Sequence, residues 1–449
     1  MVTLSSVASV SGQYVCQRAA NPIQITGAIN FGDVQQSGRV TRDGKPSSCS
    51  GDTAAMENNT TYRRDTHQLT NPYNEIVCVK VEMDFSGCGN QIQSVAYSNF
   101  NPANPAANVL GDSGFSTINK GSYSFTVGPN ANFTVGVNEI EQNTGCPLYK
   151  LKITYLRNCR QNGFDATNDG KADPTVYRLG GISKWHTIDS ETGNFLSRDF
   201  GKTGDIVTGA NDYTGDGQTD LSVYRPSDAT WYYGTNQNNP GTDYAAVQWG
   251  LATDRPVPGD YDGDGKTDVA VRRASSGTFY VLRSSDNSFQ AVQWGNTTDQ
   301  VVSGDFDGDL ITDFTVVRPA SGGNVWYISK SNYNYGFDEA IIWGLPTDVR
   351  VPADYDGDSI TDVAVWRPSN GTFYVRRSSD KTLQAFQWGK EGDYIQPADY
   401  DGDGKHDFAV YRPSTGVWYI YSSATNTYKF VQWGQPNVDF PVTAAFKLQ

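Results

Sequence analysis

The sequence predicts an all-β protein in two parts, a disulfide-bonded sandwich followed by a chain of small repeated sheets. Three observations carry that expectation. An aspartate-rich loop returns six times, starting at Asp165, Asp212, Asp260, Asp305, Asp354 and Asp399, so the spacings are 47, 48, 45, 49 and 45 residues. Every repeat contains four short apolar runs. All six cysteines lie within the first 160 residues of the 449.

The cysteines, Cys16, Cys49, Cys78, Cys88, Cys146 and Cys159, form no C-x-x-C pair, which argues against a zinc ribbon. An even number confined to one module predicts three disulfides and an oxidising compartment, with the pairing left open. Segments 75–85, 91–100, 122–127, 132–140 and 149–156 alternate between Gly, Asn and Pro turns, the pattern of a jelly-roll-like β-sandwich over 13–160. Ahead of it, residues 1–12 read as a tail, or as a strand exchanged with another copy. Their start, MVTLSSVASVSG, has no basic and apolar export signal, so the chain reads as one whose signal has been removed.

From 161 to 449 the repeats take over, and repeats decide architecture first. In the third, the runs are RPVPG (255–259), DVAVRR (268–273), TFYVLR (278–283) and FQAVQWG (289–295). Each is short, β-branched or aromatic, and bounded by turn residues, so each reads as a strand. Four strands per repeat of this length is the signature of a β-propeller blade. A Trp-Gly or Phe-Gly closes each unit, at Phe200, Trp249, Trp294, Trp343, Trp388 and Trp433. The run FPVTAAF (440–446) then supplies the strand that the first repeat lacks. Six blades closed by the C-terminal strand follow, with seven as the alternative.

Composition agrees. Only 37% of residues are hydrophobic but 12% are aromatic, with 46 Gly and 20 Pro, a profile of many strands and turns. A net charge of −14 argues against nucleic-acid binding through a basic surface. No apolar run is long enough to span a membrane.

The loops explain the acidity. In Asp260-Tyr-Asp262-Gly-Asp264-Gly-Lys266-Thr-Asp268, carboxylates fall at positions 1, 3, 5 and 9, and position 7 offers a backbone carbonyl. Calcium takes six to eight hard oxygen ligands, which such a loop can supply. An EF-hand would need a glutamate at position 12, where Val271 stands. The same set recurs as Asp305, Asp307, Asp309, Ile311 and Asp313; Asp354, Asp356, Asp358, Ile360 and Asp362; and Asp399, Asp401, Asp403, Lys405 and Asp407. Thr167 and Thr214 replace one aspartate each in Asp165, Asp169, Lys171, Asp173 and in Asp212, Asp216, Gln218, Asp220, so these two loops should bind more weakly. Position 6 calls for a left-handed backbone, which Leu310 and Ser359 would adopt only at some cost. Six Ca²⁺ ions would bring the net charge from −14 to −2.

The six in-register copies over about 164–446 resemble the FG-GAP/VCBS repeat family, the calcium-loop propellers related to the integrin α-chain head. That resemblance implies a calcium-stabilised propeller used outside the cell for adhesion or ligand binding. The run YSFTVGPNANFTVGVNE (123–139) resembles bacterial pre-peptidase C-terminal-like sandwiches, which suggests attachment or carbohydrate binding.

Recurring aromatic pairs such as Trp231-Tyr232 and Trp418-Tyr419, with Arg225, Arg318, Arg367 and Arg412, read as packing between repeats. Ligand contact is expected where the repeat breaks, in 236–244 and 331–339, through Tyr244, Tyr333 and Tyr335. No G-x-S-x-G, H-E-x-x-H or P-loop appears, and His67, His186 and His406 are scattered, the last expected to face solvent. The sequence therefore reads as a secreted or cell-surface, non-catalytic adhesion or ligand-binding module, with glycans or extracellular proteins as partners. A self-assembling filament or surface-layer subunit is the alternative, and a polysaccharide-degrading enzyme a distant third.

Overall fold

The computed structural model describes residues 15–18, 23–41, 55–72, 77–88, 92–105, 107–113, 120–128, 130–160, 163–167, 169–331 and 339–443. Residues 1–12, Cys49, Tyr333 and Tyr335 lie outside them. The chain divides into two compact units, Cys16–Cys159 and Arg160–Gln449. Every regular element described is a β-strand, and no helix among the described residues is long and apolar enough to cross a membrane.

Two five-stranded antiparallel sheets build the first unit. Within them four strand pairs are nested: Ile23–Ile29 with Cys146–Arg160, Ala55–Thr70 with Asn132–Glu139, Val77–Asp84 with Lys120–Val127, and Ile92–Tyr97 with Val109–Asp112. Nesting of this kind, a long hairpin folded over itself, is jelly-roll topology. The inward residues of both sheets, among them Val79, Val81, Phe125, Val135, Val137, Leu151 and Ile153, share one buried core. Cys88 and Cys146 are joined by a disulfide, and Cys78 is also disulfide-bonded. Ala55–Thr70 escapes a sequence reading because its apolar residues, Ala55, Met56, Tyr62 and Leu69, are widely spaced among polar ones, so no apolar alternation marks it.

In the second unit six four-stranded antiparallel sheets follow one another. The third consists of Arg255–Pro256, Val269–Arg273, Thr278–Leu282 and Phe289–Gln293, close to the runs read from sequence. Burial grades across each sheet. In the third, the second strand is buried on both faces, whereas the fourth alternates exposed and half-buried residues. The first sheet takes its fourth member from far away: Phe440–Pro441 pairs with Val176 and Tyr177 of Thr175–Arg178. Residues 157–160, by contrast, end a strand of the first unit and give none to the repeats.

The recurring aromatics pack as the sequence suggested. Trp231, Phe279, Trp326, Phe373 and Trp418 are all buried. The tryptophan that closes each repeat does something further. Its indole N–H donates to a backbone carbonyl of the next sheet: Trp249 to Tyr280, Trp294 to Tyr327, Trp343 to Tyr374 and Trp388 to Tyr419, at 3.0–3.1 Å. Trp433 continues the series by donating to His186 of the first sheet at 3.1 Å. At the remaining junction Phe200 stands in the tryptophan's place, with no N–H to give.

A second contact recurs beside it. Each repeat arginine grips, with two nitrogens, the aspartate immediately before the same sheet's first strand: Arg225–Asp205, Arg273–Asp254, Arg318–Asp299, Arg367–Asp348 and Arg412–Asp393. Arg178 makes it with Asp439, 261 residues away, at 2.6 and 2.8 Å. Each of these aspartates is buried and also accepts a backbone N–H from its own turn, as Asp254 does from Leu251. The guanidinium of Arg273 lies 4.4 Å from the centre of the Tyr280 ring, and four other repeats match it. Arg225, Arg318, Arg367 and Arg412 were visible in the sequence; Arg178, Arg273 and the aspartates, lost among 49 acidic residues, were not.

Removing one partner of such a pair leaves a buried charge uncompensated, a loss of several kcal/mol. Arg178 is one-third exposed, so Arg178→Ala should destabilise the repeat region by about 3 kcal/mol. The double variant Arg178→Ala/Asp439→Ala should recover part of that loss. Urea denaturation followed by tryptophan fluorescence measures both, and additive effects would show that the two side chains do not interact.

Candidate metal centres

Each acidic loop is a tight turn built on its first aspartate. Asp260 Oδ1 accepts from the Gly263 amide at 2.6 Å and Oδ2 from the Gly265 amide at 2.8 Å. Asp305 does the same with Gly308 and Leu310, and Asp354 with Gly357 and Ser359. The turn demands a left-handed residue at position 6. All six loops have one, and Leu310 and Ser359 adopt it with φ of 69° and 65°.

Position 9 is fixed just as firmly. Asp268 Oδ2 accepts from the Tyr261 amide at 2.8 Å and Oδ1 from the Ser284 amide at 2.7 Å. In the Asp212 loop the second donor differs: Gln237 Nε2 reaches Asp220 Oδ1 at 2.6 Å. Gln237 belongs to the long connection 236–243, so that insertion is explained by the loop it buttresses. Tyr244 follows it, half-exposed, at the start of an outer strand beside Tyr232.

These bonds bring three carboxylates together in four loops: Asp260, Asp262 and Asp268; Asp305, Asp307 and Asp313; Asp354, Asp356 and Asp362; and Asp399, Asp401 and Asp407. Within each triad one oxygen per residue lies within 4.8 Å of the others. The position-5 carboxylates, Asp264, Asp309, Asp358 and Asp403, are not part of the triads. Each accepts instead from the amide at position 7, that of Lys266, Ile311, Ile360 or Lys405, at 2.8–2.9 Å. Asp169 with Lys171 and Asp216 with Gln218 repeat the arrangement. Serines clamp the same carboxylates from the turn after the third strand, such as Ser284 on Asp264 and Ser331 on Asp309. Their recurrence 16 residues beyond position 9, at Ser284, Ser378 and Ser423, is a signal that the sequence carried unread.

The donor set fits a hard cation. All the gathered atoms are carboxylate oxygens, and some have no protein partner at all. Asp356 Oδ1 is buried without one, as are Thr167 Oγ1 and Asp169 Oδ2 in the first loop. Electrostatics demands positive charge there. Burial first, and then the charge of Asp356, raises Asp362 to about 7. Burial raises Asp407 to about 8, with Asp401 adding to it. Asp307, Asp313 and Asp354 are raised as well, for the same causes in the same order. Asp173 and Asp220 shift alike, to about 7 and about 8, although their loops form no triad. These clusters can hold metal ions.

The six loops are also tied to one another. The amide at position 8 of each donates to the position-1 carbonyl of the loop before it: Thr219 to Asp165, Thr267 to Asp212, Thr312 to Asp260, Thr361 to Asp305 and His406 to Asp354. Ala172 of the first loop then donates to Asp399 of the last, at 2.6 Å. His406 is therefore not solvent-facing, as its place in an acidic loop had suggested. It is 3% exposed, wedged between loops beside Tyr355, and burial lowers its pKa to about 3.

Residues 212–271 match the FG-GAP-like repeat family, and the repeat unit read from the sequence is of that type. No curated protein matches the chain. Among solved structures, a catalytically inactive virginiamycin B lyase from Staphylococcus aureus, solved with quinupristin, is 8% identical with a TM-score of 0.34. That alignment covers 60% of this chain and 86% of the lyase. A structural-genomics protein from Bacteroides thetaiotaomicron is 12% identical, with a TM-score of 0.34 over 66% of this chain and 77% of its own. The C-terminal CBM6 of LamC, a marine laminarinase of Zobellia galactanivorans, aligns over its full length with 30% of this chain, at 15% identity and a TM-score of 0.14. Likenesses this slight carry no argument about activity.

Two outcomes follow from the loops. Raised carboxylate pKa values mean that the folded chain binds more protons than the unfolded one between about pH 4 and pH 8. Stability so gained is complete below the unfolded value and is lost as pH rises through the folded one. Buried His406 acts oppositely, but only below about pH 6.5. Protein stripped with EGTA should therefore melt at a higher temperature at pH 6 than at pH 8, and excess calcium should abolish the difference; equal melting points in EGTA would contradict it. Separately, Ser359→Gly removes left-handed strain at a modest entropic cost, for a net gain of about 0.5 kcal/mol in urea denaturation.

Proposed function

We propose that the second unit is a closed, six-bladed β-propeller that carries a calcium ion in each acidic loop and serves outside the cell as a non-catalytic adhesion or ligand-binding module. The observation that carries this reading is the set of four buried carboxylate triads, each beside loops linked amide to carbonyl. Calcium, when bound, supplies the positive charge that these carboxylates need. The residues holding it would be Asp260, Asp262 and Asp268 and their counterparts in the next three loops, with the Asp165 and Asp212 loops as weaker sites.

The chain's own part is to position and transmit. The first and ninth aspartates are oriented by backbone amides, so little rearrangement is needed on binding. Because each position-8 amide belongs to one loop and its acceptor to the previous one, ordering a loop also orders the seam between two blades. Support for ring closure comes from Phe440–Pro441, the Arg178–Asp439 pair, Trp433 and the Ala172–Asp399 bond, all of which join the last repeat to the first. The Cys88–Cys146 disulfide supports an oxidising, extracellular location. A rigid ring of this kind presents loops at fixed spacing, which suits recognition of glycans or extracellular proteins better than turnover of a substrate.

Calorimetric titration of EGTA-stripped protein with calcium should show four tighter sites and up to two weaker ones. Calcium at 100 times its dissociation constant should add about 2.7 kcal/mol per independent site to stability. Asp356→Asn, which can place its amide nitrogen where Oδ1 has no partner, should melt at or above the wild type in EGTA, because it relieves the repulsion felt by Asp362, and below it in calcium. A glycan array run with calcium and with EGTA tests the binding role. A melting curve indifferent to EGTA would overturn the metal reading; chelator-independent retention on glycans would leave the ions purely structural.

A further inference from the structure

Five of the six repeats place a tyrosine under the arginine that grips the aspartate before the first strand. Tyr232, Tyr280, Tyr327, Tyr374 and Tyr419 lie there, with 4.2–4.6 Å between guanidinium and ring centre. Each stands on its sheet's third strand, opposite a second-strand valine: Val223, Val271, Val316, Val365 or Val410. In the first sheet the valine is Val176, and the residue opposite it is His186. Arg178 holds Asp439 as its counterparts hold theirs, yet among the described residues no aromatic ring lies under it.

A pocket of about 330 Å³ occupies this place, lined among others by Val176, Arg178, His186, Phe195, Trp433 and Asp439. Their counterparts in the third sheet are Val271, Arg273, Tyr280, Phe289, Trp249 and Asp254, so the pocket lies where the other sheets have a phenol ring. His186 does not fill it. Its ring is smaller, and Nδ1 is engaged with Ser197 Oγ at 3.1 Å. In four other sheets the residue at that place, opposite the tyrosine, is an alanine. Nε2 of His186 is buried with no partner, a state that a missing group would relieve. Burial, and then the charge of Arg178, lower the imidazole's pKa, so the ring is neutral at pH 7. The far wall differs too. Asp439 comes six positions after Trp433, against five between the corresponding residues of the other repeats, and Gln435 in that longer turn is exposed. Phe195 is exposed as well, which leaves the pocket open to solvent.

We propose that this pocket receives a phenolic ring from outside the chain, held beneath the Arg178 guanidinium and against Phe195 and Trp433. Such a ring supplies the cation–π contact that Arg178 lacks and its five counterparts have. Phe195 and Trp433, already edge to face at 5.3 Å, give it two aromatic neighbours. The hydroxyl has two partners in reach of the same pocket wall. Tyr327 accepts from Arg318 Nη1 at 3.4 Å, a bond that Arg178 can offer in turn. His186 can donate or accept according to its tautomer, and a phenol does both. An engineered cavity of about 150 Å³ is enough for benzene, so the space admits a ring with substituents. A saturated sugar has no π face to set under the guanidinium. The site uses none of the loop aspartates and does not rest on the calcium or adhesion reading.

The test titrates the full chain, loaded with calcium, with p-cresol, which is the tyrosine side chain as a free molecule. Calorimetry should show one equivalent bound, about tenfold more tightly than toluene, which lacks the hydroxyl. His186→Tyr fills the pocket from within, so it should weaken cresol binding about tenfold or more and melt at a higher temperature without ligand. A parallel titration with N-acetyl-tyrosinamide separates the sources: binding at least as tight as cresol's assigns the site to a tyrosine side chain of a partner, and binding of cresol alone to a free phenol. Should His186→Tyr fail to fold, crystals of the wild type soaked in p-bromophenol decide, with bromine expected beside Phe195 and Trp433. No saturable cresol binding by the wild type, undiminished binding by folded His186→Tyr, equal affinity for toluene, or bromine bound only elsewhere would overturn the proposal.

Discussion

Pairs of aspartates held out of water are the constraint around which the repeat region is organised. A carboxylate buried beside another is costly unless every lone pair is met and the charge is balanced. The loops meet most of the first condition with backbone amides, serine hydroxyls and, in one repeat, the Gln237 amide, and leave oxygens such as Asp356 Oδ1 open. The second condition is left to a cation. That division explains why the loops are so alike in backbone while their positions 3, 6 and 8 vary. Thr167, Leu310 and His406 all fit because the amide scaffold does not require a particular side chain there.

Charge is treated differently at the other recurring site. The Arg–Asp pairs at the sheets' first strands are balanced within the protein, with the aspartate buried and the arginine lying over a tyrosine. One aspartate population is thus neutralised permanently and the other conditionally. The first fixes the turn ahead of each sheet's first strand; the second, if the loops take up calcium as proposed, makes the seams between sheets sensitive to the ions around them.

Much of this was legible in the sequence because it recurs. Loop spacing, four strands per repeat, the left-handed position 6 and the packing role of the aromatic pairs all follow from periodicity and elementary backbone sterics. What escaped was either non-periodic or hidden in composition. The aspartates at 205, 254, 299, 348, 393 and 439 sit at regular offsets but look like ordinary turn formers. His406 was misjudged because its neighbours in sequence are polar, whereas its neighbours in space are Tyr355 and another loop's backbone. In the first unit, polar strands such as Ala55–Thr70 carry no alternation to read, and no spacing rule singles out Cys88–Cys146 among the possible pairings.

The first sheet is completed by residues 440 and 441, and among the described residues nothing nearer in the chain takes their place. A ribosome would therefore have made five whole sheets before the opening one could acquire its edge. Until that moment Thr175–Arg178 has an unpaired side, the kind of exposed strand to which a neighbouring chain can attach itself. Maturation of the whole region is thus timed by its last few residues, and a truncated product would retain a sticky seam.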